Sequence, residues 1–214
     1  NGGNIADLGA YEAGESPSLF VTTDLDVVDT HDGLTSLREA LALANDVAAG
    51  NNGDGDADND GSSVDHITFH SSLVGATLTL TQGELAITSD VTMDGDLDED
   101  DAPDITVHAA GNSRVMLFSG GTSEVDGLIV TGGNVTNSLG GGIFVSNGAS
   151  LTIANSEITN NAAGSSGGGL GVYFGSQAQV VNSVVSDNST GASGGGIGNL
   201  GTLNVTGSSI VNNS

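Results

Sequence analysis

Asp54-Gly55-Asp56-Ala57-Asp58-Asn59-Asp60-Gly61 places a carboxylate at every second residue and a glycine after Asp60. D-x-D-x-D-G is the opening of a calcium loop, because hard carboxylate oxygens suit Ca²⁺. Counted from Asp56, the twelfth position of an EF-hand would hold Glu, but Ile67 stands there. The segment is therefore no EF-hand, and Asp65 is the candidate for a later ligand. Asp94, Asp96, Asp98, Asp100 and Asp104 repeat the spacing, with Asp101 where the glycine would be. Asp24, Asp26, Asp29 and Asp32 form a third, weaker cluster. Asp90 to Asp104 contains eight acids and no Lys or Arg, so the loop repels itself unless cations gather there. The expected cofactor is Ca²⁺. The competing reading is a solvated acidic loop in a salt-adapted protein.

Catalytic groups are sparse. Both basic residues are arginines, Arg38 and Arg114, and there is no lysine to serve as a lyase base. Each arginine reads as a structural brace rather than a base. A glycoside hydrolase would need paired carboxylates on one face, yet residues 105–214 carry only Glu124, Asp126, Glu157 and Asp187. His66 and His70 share a strand face but lie about 13 Å apart by strand rise, and His31 and His108 are isolated. The two Tyr and five Phe show no stacking platform for sugar in the sequence. No catalytic residue is expected. Asn134, Asn188, Asn204 and Asn212 each open an N-x-S/T pattern, which chance explains in so Asn-rich a chain.

The charge bounds the partners. The chain has 214 residues, with 27 Asp plus Glu against 2 Lys plus Arg, a formal net charge of −25. Such a charge repels nucleic acid and anionic lipid. Zero cysteines exclude disulfides and thiolate metal sites. No apolar run approaches the roughly 18 residues of a spanning helix. No signal peptide opens the chain, and Asn1 starts mid-pattern, as in an excised or mature segment. Residues 1–104 hold 23 of the 27 acids, so the charge is local rather than general.

The elements that must position these groups repeat. Gly140-Gly141-Gly142, Gly167-Gly168-Gly169 and Gly194-Gly195-Gly196 recur every 27 residues, each followed by an aliphatic, Ile143, Leu170 or Ile197. Each unit then carries a short β-rich stretch, such as Ser150–Ile153, and a closing stretch, such as Ser156–Asn161. Three short strands per unit with tight corners predict one coil of a parallel β-helix. Alternation turns Leu151 and Ile153 inward and Thr152 outward. The paired Asn at one corner, as in Asn160-Asn161, are placed to stack as a ladder along the axis. A flexible Gly/Ser linker would lack these phased aliphatics. At one coil per 4.8 Å, about seven or eight coils make a rod roughly 35–40 Å long. One helix is predicted over 36–45, with Ser36 and Glu39 as a capping box and Leu37, Ala40, Leu41 and Ala44 as its apolar face. It suits a plug for the end of a solenoid, whose edge must be covered.

Phe20-Val21-Thr22-Thr23, followed by Thr35-Ser36-Leu37-Arg38-Glu39-Ala40, resembles the N-terminal cap of surface β-helix proteins named for an SLREA motif. Asp65–Phe69, Glu84–Gly95, Ser113-Arg114-Val115 and the GGGI-type coils resemble that family in the same order. The resemblance implies an all-β fold, a right-handed parallel β-helix of the pectin-lyase-like type. It also implies a secreted or cell-surface setting, and no established catalytic residues. Residues 19–214 form the β-helix on this reading. Asp7-Leu8-Gly9-Ala10-Tyr11-Glu12 resembles the segment that normally ends such domains, although here it comes first. Residues 1–18 are then either the trace of a tandem array or a strand that completes another copy head to tail, which would build a filament. The expected function is a non-catalytic structural module, with itself as partner. The alternative is a polysaccharide-active or glycan-binding, adhesin-like β-helix.

Overall fold

The computed structural model describes residues 18–45 and 64–214. Asp54, Asp56, Asp58 and Asp60, like the end-motif resemblance at residues 7–12, lie outside the described residues.

The chain is a parallel β-helix. The first side of the coil is a seven-stranded sheet: Phe20–Val21, Asp65–Phe69, Val91–Asp94, Thr122–Asp126, Ser150–Ala154, Gln177–Val181 and Thr202–Thr206. The second side has six strands, from Thr77–Thr79 through Ile105–His108, Leu128–Thr131, Glu157–Thr159 and Val184–Ser186 to Ser209–Val211. The third has five: Leu85–Ile87, Met116–Phe118, Ile143–Val145, Leu170–Val172 and Ile197–Asn199. Every strand pairs in parallel with the strand one coil away. A fourth, three-stranded ribbon of Asn134–Val135, Ala162–Ala163 and Ser189–Thr190 runs along one corner. Five coils possess all three sides, fewer than the seven or eight expected. The cap and the long turns absorb chain that a uniform coil length assigns to strands.

The 27-residue spacing is a register. Ile143 pairs with Leu170 and Leu170 with Ile197. On the first side Ile67, Met93, Val125, Ile153 and Val180 stack as one buried column. Leu151 and Ile153 face inward and Thr152 outward, as the alternation predicts. Each such aliphatic contributes roughly 1.5–3 kcal/mol of burial.

The glycine triplets serve backbone approach. Gly140, Gly167 and Gly194 take left-handed φ of 65°, 64° and 67°. At Gly141 a side chain would collide with the carbonyls of Ala162 and Gly168, so only glycine lets the coils close there.

Two polar ladders run parallel to the apolar column. Asn161 donates its amide N–H (2.9 Å) and its Nδ2 (3.0 Å) to Asn188 Oδ1. Asn188 does the same to Asn213 Oδ1, at 3.0 and 3.1 Å. The first residue of each corner pair, Asn160, Asp187 or Asn212, instead takes a left-handed turn conformation. One corner earlier, the Ser156 amide donates to Ser183 Oγ (3.1 Å), and the Ser183 amide to Ser208 Oγ (3.0 Å). Each hydroxyl returns its proton to a carbonyl two residues back. The buried corner amides are thus satisfied by the coil above.

The helix α1, Leu37–Ala44, closes one end of the column. Ser36 and Glu39 form the capping box, and Leu37, Ala40, Leu41 and Ala44 are buried. Glu39 Oε1 also accepts from the Asp29 amide at 2.6 Å. Phe20–Val21 pairs with Thr68–Phe69 and covers the edge of the first side. Asn45 covers the third side by donating Nδ2 to Ala86 O (2.7 Å) and accepting from the Thr88 amide (2.8 Å). Its carboxamide makes the bonds a neighbouring strand would make.

Candidate functional site

The turn between Val91–Asp94 and Ile105–His108 carries most of the second acidic cluster. Asp94 opens it by accepting from the Asp96 amide (3.2 Å). Asp96 then organises the loop, its two oxygens accepting from the amides of Asp100 (3.2 Å) and Asp101 (2.9 Å). Asp104 closes it, accepting from the Leu97 amide at 2.8 Å. Glu99 and Asp101 hold left-handed φ of 59° and 62°. This folding gathers Asp96, Asp98 and Asp104, whose ligand oxygens lie within 4.8 Å of one another. Among the described residues they are the one such group of three.

A further carboxylate joins from the next coil. Asp126 pairs in register with Asp94 across the first sheet. Burial raises the Asp126 carboxyl, Asn155 opposes this by donating to it at 2.9 Å, and the charges of Asp94, Asp96 and Asp101 raise it further. Asp98 is also raised, by slight loss of hydration and by the charges of Asp100, Asp104 and Asp96. Because Asp98 is exposed, its neighbours' charge is the cause that matters physically. These shifts mark a site of concentrated negative charge, chemically suited to a hard divalent cation held by oxygen.

The other expected ligands are placed elsewhere. Asp100 takes part through its backbone, and its carboxylate accepts from the Ala102 amide (3.0 Å). Asp65 begins a strand of the first side, is buried and pairs in register with Val91, and it is not one of the three gathered carboxylates. In the third cluster, Asp26, Asp29 and Asp32 are engaged by separate protein groups. Asp26 binds Arg38 at 2.6 Å and accepts from the amides of Thr81 and Gln82. Burial pushes Asp26 up, but the bonds from Arg38, Gln82 and Thr81 outweigh it and hold the carboxyl below its ordinary value. Asp29 and Asp32 accept from the amides of His31 and Leu34 in local turns.

Both arginines are structural braces, as expected. Arg114 is buried and donates to Glu84, Gly140 O, Leu139 O and Ser138 Oγ, tying three coils together. Burial lowers its pKa, and Glu84 works in the opposite direction. His70 Nδ1 caps a short 3₁₀ turn at Ser71–Leu73, its ring edge-on to Phe20 at 5.8 Å. His108 accepts from the Ala110 amide.

The structure adds an aromatic cluster that the sequence did not show, its rings edge-on to one another. Phe144, Tyr173 and Phe174 gather on the outer surface, with ring centroids 6.1 and 5.4 Å apart. The sequence conceals this because Tyr173 lies 29 residues after Phe144, outside the 27-residue period.

Compared with family models, curated proteins and solved structures, the chain gives no match.

Proposed function

We propose that the chain is a non-catalytic structural module of a secreted or cell-surface protein, a cation-stabilised β-helix that stacks end to end. The carrying observation is the unbroken ladder Asn161–Asn188–Asn213, which gives each coil a polar register for the next. The last described coil supports the same reading. Its Val205 and Ile210 continue the columns of Val180 and Val185, which are buried in the coil before. A stacked coil would extend these columns by strand pairing, and the proposed occupant is a second copy. Both arginines are occupied in bracing bonds, which fits a scaffold better than a lyase. The SLREA-type cap motif supports the extracellular setting, and Asp96, Asp98 and Asp104 are the proposed calcium ligands.

The test is assembly. Size-exclusion chromatography and electron microscopy of the full chain should show oligomers that lengthen with concentration. Ile210→Lys in the last coil should shorten them, as should removal of residues 1–15. A monomer at every concentration, or assembly indifferent to both changes, refutes the stacking.

A further inference from the structure

Asn134, Asn188, Asn204 and Asn212 each open an N-x-S/T pattern, and the fold separates them. An asparagine that carries a glycan keeps a single N–H on its side-chain nitrogen and needs room beside it for a sugar. Asn188 meets neither condition. It is wholly buried, and its Nδ2 spends both hydrogens, on Ile158 O at 2.8 Å and on Asn213 Oδ1 at 3.1 Å. Asn204 and Asn212 are exposed, but they belong to the last described coil, where a second copy is proposed to stack.

Asn134 meets both conditions. It begins Asn134–Val135, the strand at one edge of the corner ribbon. Its backbone amide is tied to Ser113 O at 2.8 Å. Among the described residues, no hydrogen bond engages its side chain. Thr136, whose hydroxyl completes the pattern, is exposed like Asn134 itself. The ribbon stops at this strand, because the preceding coil passes the corner as a turn at residues 110–113. Beside that edge lies an open cleft of about 490 Å³, lined by Asn112, Ser113, Asn134, Thr136 and Asn137 among others, none of them charged. Their amides and hydroxyls both donate and accept, as the hydroxyls of a sugar require.

We propose that Asn134 is an N-glycosylation site, a covalent modification of the scaffold at one corner of the rod. The proposal rests on the extracellular setting given above, since glycan transfer acts on chains that cross a membrane, and on neither stacking nor calcium. The donor is an oligosaccharide joined through its anomeric carbon to a polyprenyl phosphate or diphosphate. Asn134 Nδ2 forms a bond to that carbon, the bond from the carbon to the phosphate oxygen breaks, and the lipid phosphate leaves with the electron pair. One proton of the Asn134 amide passes to a base of the oligosaccharyltransferase, which recognises the Thr136 hydroxyl. Nothing is oxidised or reduced. The linked sugar then occupies the cleft and covers the edge at which the ribbon stops.

The test uses the full chain from its native source, recovered separately from the medium, the cell surface and the cytosol. Cleavage after Glu124 and Glu157 isolates residues 125–157, in which Asn134 alone opens an N-x-S/T pattern. Tandem mass spectrometry of that peptide should show a glycan on Asn134 in most copies, and the peptide containing Asn188 should show none at Asn188. Asn134→Gln and Thr136→Ala, expressed in the same host, should abolish the modification, whereas Thr136→Ser should keep it. Both positions are exposed, so circular dichroism should stay unchanged. An extracellular chain with a bare Asn134 overturns the proposal and leaves the extracellular setting standing. A chain confined to the cytosol overturns both. A glycan that survives Thr136→Ala, or one carried by Asn188 in the folded protein, also overturns the proposal, because the fold would not then be selecting the site.

Discussion

Arg38 and Arg114, the only two arginines in a chain without lysine, end on the same residue. Arg38 Nη1 donates to the Glu84 carbonyl at 3.2 Å, and Arg114 Nη1 to the Glu84 carboxylate at 2.6 Å. One side of this junction is the cap, through Asp26 and α1. The other is the third coil, through Leu139 and Gly140. The scarce positive charge is spent fastening the cap to the coils.

Arg114→Ala should therefore be among the most damaging single changes. It strips donors from two carbonyls and a hydroxyl and leaves the Glu84 carboxylate without its cation. The expected cost is about 3 kcal/mol, read as a melting temperature lowered by roughly 10 °C. Glu84→Gln should cost far less, because the Glu84 side chain is about one-third exposed and the arginine keeps its other bonds. Equal losses from the two variants would contradict the brace.

The corner pairs divide their labour, and substitutions should show it. Asn188 is buried, accepts from Asn161, and donates to Ile158 O and Asn213. Asn188→Ala orphans several buried groups and should cost about 2–4 kcal/mol. Its neighbour Asp187 supplies a left-handed turn at φ 55°. Asp187→Gly should stay within about 1 kcal/mol of the parent. Chemical denaturation of the two variants measures the contrast, and similar costs would refute the division.

What the sequence disclosed was whatever one coil determines by itself or repeats at a fixed period. Ser36 and Glu39 announce the helix locally. Leu151 and Ile153 announce a strand by alternation, and the triplets beginning at Gly140, Gly167 and Gly194 announce the register. Asn161 and Asn188 sit one period apart, so their ladder was legible. The remaining contacts depend on how far each turn protrudes. Asp94 and Asp126 are 32 residues apart because the acidic loop lengthens its coil, and their register pairing appears only when the coils stack. Glu84 gave no signal at all, since its partners come from the cap and from the following coil. The serine ladder was visible as a repeat of Ser156, Ser183 and Ser208, but a serine before a strand is too common to suggest a ladder.

The calcium reading makes a prediction with two arms. Added Ca²⁺ at about a hundredfold excess over its dissociation constant should stabilise the fold by roughly 2.7 kcal/mol, and a chelator should reverse the gain. Asp98→Asn should remove most of that response. The same change should also raise the melting temperature of the metal-free protein, because it relieves repulsion from Asp96, Asp100 and Asp104. A melting curve indifferent to calcium in the parent would refute the site.

The response to acid should change direction, because two kinds of aspartate oppose each other. Asp98 and Asp126 have carboxyls raised in the fold. Their ionisation destabilises the protein at neutral pH, and the penalty is relieved as pH falls through the raised values toward the ordinary one, about 3.9. Asp26 is held below its ordinary value. Its contribution is fully present above that value and disappears as pH falls through the lowered one. Without divalent cations, stability should therefore rise as pH descends toward the ordinary aspartate range and fall once below it. Saturating Ca²⁺ should flatten the rising limb, since the cation already neutralises the cluster, and leave the acid limb in place. Asp98→Asn should flatten the rising limb without metal, whereas Asp26→Asn should remove part of the acid limb at the cost of the Arg38 brace. Thermal melts across the acidic range, with and without calcium, measure this. A monotonic decline from neutral pH in the metal-free protein would show that the clustered carboxylates carry no repulsive penalty.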